Sequence, residues 1–112
     1  MKVCKLIHVM GGLAAAFGLS LAQAADAVPE LAKTKECMSC HAVDKDMPKA
    51  PSFRDIAKKY NGMANVETML VQKVREGGVG HWGANPMPGT GARAKVSEDE
   101  AQALVAWVLS QK

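Results

Sequence analysis

The stretch Cys37-Met38-Ser39-Cys40-His41 places two thiols three residues apart and an imidazole directly after the second thiol. This Cys-x-x-Cys-His spacing is typical of covalent c-type haem attachment. One helical turn separates Cys37 from Cys40, so both sulfur atoms can face one porphyrin edge and form thioether bonds. The imidazole of His41 can bind the iron through one ring nitrogen while the other donates a hydrogen bond. The stretch therefore predicts one covalently bound haem c, with His41 as an axial ligand.

Other sites also use closely spaced thiols. A structural zinc site needs four ligands, whereas beyond position 10 the chain has no second cysteine pair and only two histidines, His41 and His81. A thioredoxin-like dithiol lies within a βαβ pattern, but no run of β-branched residues precedes Cys37. Zinc binding, dithiol chemistry and a plain structural disulfide are therefore weaker interpretations than haem attachment.

Residues 1–24 differ in composition from the rest of the chain. The chain begins with a short segment that contains Lys2 and Lys5. An apolar stretch from about Val9 to Leu21 comes next, and Ala22-Gln23-Ala24 follows it. This order is typical of a secretory signal peptide, so we expect cleavage after Ala24 and one domain over 25–112. An uncleaved membrane anchor is the alternative, although the apolar stretch is short for a bilayer. The expected compartment is the periplasm, which is the natural one if the source is a Gram-negative bacterium.

The mature domain is expected to be small and almost neutral. It would have 88 residues, with twelve basic side chains and eleven acidic ones, hence a formal net charge of +1 against +3 for the whole chain. A chain of this length builds only a modest core, which a buried apolar haem would enlarge. The near-neutral charge argues against nucleic acid as a partner. We expect a soluble monomer with no membrane contact after cleavage.

Hydrophobic spacing predicts helices and no strand. The first helix would run from Pro29 to about Cys37, and the second from about Ser52 to Tyr60. A third would follow an N-cap at Asn65 and end near Glu76, before two glycines. The fourth would begin with the capping box Ser97-Glu98-Asp99-Glu100 and carry a core-facing apolar stripe. The chain is therefore predicted to be all-α, with about four helices around the haem.

A loop rich in glycine and proline, residues 77–89, separates the third and fourth helices. Met87 lies between two prolines, whose restricted φ angles suit a thioether presented as the second axial ligand, opposite His41. His81 in the same loop is the alternative ligand. Trp82 has an indole N–H that could hydrogen-bond a haem propionate, or the ring could simply pack over the haem edge.

Four motifs of this chain occur together in one known family. They are Cys37-x-x-Cys40-His41, Ala50-Pro51-Ser52-Phe53, Trp82-Gly83-Ala84-Asn85-Pro86-Met87-Pro88, and the ending Val96–Ala101 with Trp107–Gln111. With them the chain resembles bacterial cytochrome c-551, also called cytochrome c8, a family of short class I c-type cytochromes. The resemblance covers essentially the whole mature chain and implies the small class I cytochrome c fold.

The resemblance also implies roles for individual residues. It implies His41 and Met87 as the axial ligands of the iron. It implies that the carbonyl group of Pro51 orients His41 and that Trp82 contacts a haem propionate. Lys35 occupies a position that is implied to approach a propionate as well.

The chain departs from the family pattern shortly after Met87. Where the family has an asparagine, this chain has Thr90, and a longer connection, Gly91-Ala92-Arg93-Ala94-Lys95, follows. The resemblance therefore leaves open whether Thr90 or another group hydrogen-bonds the sulfur of Met87.

The resemblance implies a one-electron carrier rather than an enzyme, because both axial positions of the iron would be occupied. Its partners would be redox proteins that bind weakly and leave quickly, with a nitrite reductase or a terminal oxidase as acceptor. Two alternatives remain at this point. One is a small haem peroxidase or gas-binding enzyme with an open or His-ligated sixth position. The other is a haem module of a larger complex, marked by an exposed apolar patch.

Overall fold

The computed structural model describes residues 28–112, so the predicted signal peptide lies outside the described residues. The described part contains α1 (Glu30–Thr34), α2 (Phe53–Tyr60), α3 (Val66–Glu76) and α4 (Glu98–Leu109), together with a short 3-10 helix at Cys37–Ser39. Its extended segments form only isolated bridges and no named strand. The prediction of an all-α chain with about four helices is confirmed.

The first helix is shorter than predicted. It ends at Thr34 instead of running to about Cys37, and the Cys-x-x-Cys-His motif begins a separate 3-10 turn. Glu36 marks the break, because its φ of 61° lies in the left-handed region, which a right-handed helix does not include. The turn closes where the N–H of His41 donates to the carbonyl group of Cys37 at 3.0 Å. The motif therefore follows α1 and has its own local geometry.

The second and third helices lie close to their predicted bounds. Ser52 caps α2, since its side chain accepts a hydrogen bond from the backbone N–H of Asp55 at 3.1 Å. The prediction for Asn65 is wrong in one respect, because its side chain makes no capping hydrogen bond to α3. Asn65 instead adopts a left-handed φ of 57°, which asparagine tolerates better than most residues. Helix α3 ends at Glu76, just before Gly77, as predicted.

Helix α4 begins with the predicted capping box. The side chain of Ser97 accepts from the N–H of Glu100 at 3.2 Å, and the Glu100 carboxylate accepts from the N–H of Ser97 at 2.9 Å. These two bonds satisfy amide groups that the first turn of a helix leaves without partners. The predicted apolar stripe is also present, because Ala101, Leu104 and Val105 are buried.

Helix α4 packs against each of the other three helices. One group of buried side chains joins α4 to α1 and the segment before α4, and it contains Ala32, Val96, Ala101 and Leu104. A second group joins α2, α3 and α4, and it contains Tyr60, Leu70 and Val105. Both groups border a cavity at the centre of the fold. No helix in residues 28–112 is long and apolar enough to cross a membrane.

Candidate haem site

A cavity of about 480 Å³ lies between the helices and the loops on either side of them. All six site residues predicted from the sequence line it, namely Cys37, Cys40, His41, Pro51, Trp82 and Met87. The helices contribute mainly apolar side chains to the wall, among them Ile56, Leu70, Val74 and Leu104. The fold thus brings residues that lie 50 positions apart in the sequence to one apolar cavity.

His41 is held in one ring orientation by the segment before α2. Its Nδ1 atom lies 2.7 Å from the carbonyl oxygen of Pro51, the contact that the family resemblance implied. A carbonyl only accepts, so Nδ1 carries the proton and Nε2 keeps a free lone pair. Burial lowers the pKa of His41, opposed in part by the hydrogen bond to Pro51. The ring is therefore neutral at pH 7 and suited to bind a metal.

Two aromatic rings support His41 on the helix side. The ring of Phe53 stacks on the imidazole with a centroid distance of 5.0 Å and an angle of 21°. Trp107 of α4 meets Phe53 edge-on, also at 5.0 Å. This row of rings connects His41 to α2 and α4, so the orientation of the imidazole depends on helix packing as well as on Pro51.

Met87 is held by the loop that was predicted to present it. Its backbone exchanges two hydrogen bonds with Gly78, at 2.9 and 3.0 Å, so two distant parts of the loop run side by side. Gly77 makes this approach possible, since a Cβ atom there would overlap the carbonyl oxygen of Met87. Gly89 likewise packs against the carbonyl group of Glu76. The thioether is therefore carried on backbone that is fixed to the end of α3.

His81 and Trp82 lie in the outer part of the same loop. Both are exposed, although both still line the cavity mouth. The ammonium group of Lys59 lies 4.3 Å from the centre of the Trp82 ring and also donates to the carbonyl oxygen of His81 at 2.6 Å. The sequence analysis does not single out Lys59, which is one of two lysines in the predicted second helix. Its two contacts attach the loop to α2.

Lys35, which the resemblance implies to approach a propionate, contacts the connection before α4 and the first turn of α4. Its ammonium group donates to the carbonyl oxygen of Lys95 at 2.8 Å and lies 3.0 Å from the carboxylate of Glu100. Lys35 is not among the residues that line the cavity. The side chain therefore joins the end of α1 to the start of α4.

The residues of the cavity fit a haem. Cys37 and Cys40 are not joined in a disulfide and both line the wall. Burial raises the pKa of Cys37, with a partial opposing effect from the charge of Arg93. The indole N–H of Trp107 is buried, lines the cavity and has no hydrogen-bond partner within residues 28–112, so it would suit an acceptor on a bound group. Within residues 28–112, no group of three or more His, Cys, Asp or Glu side chains could hold a metal ion.

Four helices around an apolar cavity, with the Cys-x-x-Cys-His motif in its wall, define a class I c-type cytochrome. Residues 14–112 match the family model described as cytochrome c, and the chain belongs to this family. It is similar to cytochrome c-551 of Pseudomonas aeruginosa, with 48% identity over 99 residues, 87% of this chain and 90% of the relative. Cytochrome c-551 of Azotobacter vinelandii is 45% identical over 83 residues, 74% of this chain and 95% of the relative.

A solved structure agrees with this assignment. The crystal structure of wild-type Nitrosomonas europaea cytochrome c552 matches with a TM-score of 0.66 and 37% identity, covering 74% of this chain and 98% of that one. The predictions of family, fold, one haem c and electron transport are therefore confirmed. The chain is a cytochrome c-551-like electron carrier, not an enzyme, and the enzymatic alternative is set aside.

Proposed function

We propose that the haem iron of this electron carrier is bound by His41 on one side and Met87 on the other. The bound haem supplies an iron that alternates between Fe(II) and Fe(III). The observation that carries the proposal is that His41 and Met87 line the same cavity as Cys37 and Cys40. Because both axial positions would be filled by protein, the iron would exchange electrons without binding a substrate.

The two side chains differ in how they are held and in what they would do to the iron. Nδ1–H of His41 donates to Pro51, which leaves Nε2 as the ligating atom. The thioether of Met87 is neutral and polarisable, and His/Met ligation raises the reduction potential. We therefore expect a relatively high potential, suited to a carrier that delivers electrons to an oxidising partner.

Met87 is a better candidate for the second axial ligand than His81. Met87 is partly buried and its backbone is paired with Gly78, whereas His81 is exposed in a glycine-rich part of the loop. Ordering His81 onto the iron would also disturb the contact between its carbonyl group and Lys59. A preorganised ligand has less conformational entropy to lose when it binds.

The compartment and the partners are proposed from the signal-like sequence of residues 1–24 and from the similarity to cytochromes c-551. We propose that residues 1–24 are a cleaved signal peptide, that the mature monomer works in the periplasm, and that it reduces a nitrite reductase or a terminal oxidase. The similarity to cytochromes c-551 supports this proposal. We expect the protein isolated from the periplasm to have the mass of a chain that begins at Ala25. We also expect its reduced form to be oxidised rapidly by one of these two enzymes. A reduced protein that neither enzyme oxidises would contradict the choice of partners.

Replacement of the proposed ligand tests the axial ligation. We expect Met87→Ala to open the iron, so that the reduced protein binds carbon monoxide and the oxidised protein binds cyanide, with a lowered reduction potential. Met63→Ala is the matched control, because Met63 is 53% exposed and does not line the cavity. His81→Ala should also behave like the wild type. Unchanged ligand binding in Met87→Ala, or open iron in His81→Ala, would contradict the proposal.

A further inference from the structure

Arg93 lies in the connection between the Met87 loop and α4. Its side chain donates hydrogen bonds to three backbone carbonyl groups. Its Nε atom donates to Pro88 at 2.8 Å and its Nη1 atom donates to Ala94 at 3.2 Å. Its Nη2 atom donates to the carbonyl group of Val74 in a close contact. The side chain is partly buried, and no carboxylate in residues 28–112 pairs with it. A guanidinium group that is bonded to carbonyl groups of separate segments acts as a clamp between them.

Two of the three acceptors belong to parts of the chain that bear on Met87. Pro88 follows Met87 directly. Val74 lies in the last turn of α3, where carbonyl groups have no partner within the helix and the helix dipole favours a positive charge. Arg93 therefore fastens one side of Met87 to the end of α3, while the paired backbone of Gly78 fastens the other side.

Thr90 does not supply a hydrogen bond to the Met87 sulfur in this arrangement. Its hydroxyl group lies 3.0 Å from the carbonyl oxygen of Arg75, an acceptor, and its backbone N–H donates to the same oxygen at 3.1 Å. The single hydroxyl proton of Thr90 is thus used in the hydrogen bond to Arg75 of α3. At the position where the family pattern has an asparagine, this chain therefore uses its polar side chain to fix the loop to a helix.

We propose that Arg93 is a positioning residue that keeps Met87 on the haem iron, by fixing the carbonyl group of Pro88 to the end of α3. This proposal rests on the proposed ligation by Met87. Arg93 does not itself line the cavity, so it acts through the backbone rather than by contact with the haem. The fork of donors is needed, since Pro88 and Val74 are reached by different nitrogen atoms of one guanidinium group.

The test measures how easily a small ligand displaces Met87 from the oxidised holoprotein. Imidazole is the probe, because it is neutral and its affinity does not report the charge of Arg93 directly. We expect Arg93→Gln to bind imidazole about tenfold more tightly, a change of ~1.4 kcal/mol, and to lose part of the sulfur-to-iron charge-transfer band. Arg93→Lys should lie between the wild type and Arg93→Gln, because one ammonium group reaches fewer carbonyl groups.

Arg75→Gln is the matched control. Arg75 follows Val74 in the last turn of α3, and its side chain forms an exposed ion pair with Glu98 at 3.4 Å. Only its backbone takes part in the loop contacts. It should match the wild type in imidazole affinity. Far-ultraviolet circular dichroism shows whether each variant keeps its helices. If Arg93→Gln does not fold, the imidazole affinity of Arg93→Lys is compared with that of the wild type instead.

Two outcomes would overturn the proposal, and a third would contradict the ligation by Met87 on which the proposal rests. Imidazole affinity in Arg93→Gln equal to that of the wild type would contradict a role in holding Met87. Wild-type affinity in Arg93→Lys would contradict the need for the guanidinium fork. A wild-type protein that lacks the charge-transfer band altogether would instead contradict ligation by Met87, whatever the variants do.

Discussion

At the scale of single residues, the proposed ligands owe their placement to the backbone atoms of other residues. The carbonyl group of Pro51 sets the ring of His41, and the peptide group of Gly78 sets Met87. The sequence motif predicts His41 because the Cys-x-x-Cys-His chemistry is local. It does not predict Arg93, because only the folded chain brings a lone arginine in a glycine- and alanine-rich connection to three carbonyl groups.

The close approach at Gly77 gives a prediction at this scale. Gly77 and Gly62 have nearly the same φ angles, 75° and 74°, so alanine is strained at either site, and the ψ of −160° at Gly77 places it in a region that only glycine adopts readily. Only at Gly77 would the new Cβ atom also overlap the carbonyl oxygen of Met87, whereas at Gly62 it would meet nothing within 4 Å. We expect Gly77→Ala to weaken the charge-transfer band and to lower the melting temperature more than Gly62→Ala. Equal effects of the two substitutions on both measurements would contradict this account of the loop.

At the scale of secondary structure, the best predicted element is the one whose signals are most local. Helix α4 begins with a capping box and carries an apolar stripe, and both are present in the structure. The end of α1 is poorly predicted, because Glu36 takes a left-handed conformation that its residue type does not favour. The turn that leads into the haem motif overrides local helix propensity there.

The capping box makes the stability of α4 depend on pH. The hydrogen bond from the backbone N–H of Ser97, assisted by Lys35, lowers the pKa of Glu100 below its ordinary value of 4.5. A carboxyl group with a lowered pKa in the folded protein stabilises it above the unfolded pKa, and that contribution disappears as the pH falls through the folded pKa. We therefore expect Glu100→Gln to unfold more easily than the wild type at neutral pH. The difference should shrink in acid.

Denaturant unfolding at neutral pH and at about pH 3 measures this difference. Asp99→Asn is the control, because it removes a carboxylate from the same first turn and leaves the capping box intact. A gap between Glu100→Gln and the wild type that is the same at both pH values would contradict the assigned role of the carboxylate.

At the scale of the whole molecule, the helices enclose a cavity instead of a continuous core of side chains. Both groups of buried residues border this cavity, and α4 is the helix common to them. The sequence motifs predict which residues line the cavity, because the Cys-x-x-Cys-His turn and the Met87 loop are both expected to contact one haem. They do not predict the contacts of Lys59 with the outer loop, which depend on how α2 packs.

The haem should therefore be required for folding. We expect a Cys37→Ala/Cys40→Ala variant to lose most of its helix content, because a chain this short lacks enough buried apolar surface without the haem. Ser39→Ala is the control, since it keeps the Cys-x-x-Cys-His motif and changes an exposed side chain. Circular dichroism measures the helix content. Native helix content in the double variant would show that the side chains alone suffice to form the fold.

The most direct test of the central claim, that His41 and Met87 are the axial ligands of an electron carrier, is the optical spectrum of the mature protein in its oxidised and reduced forms. We predict c-type haem bands in both forms and, in the oxidised form, a weak long-wavelength sulfur-to-iron charge-transfer band. A c-type spectrum without that band would contradict ligation by Met87 and would favour His81 or an open sixth position.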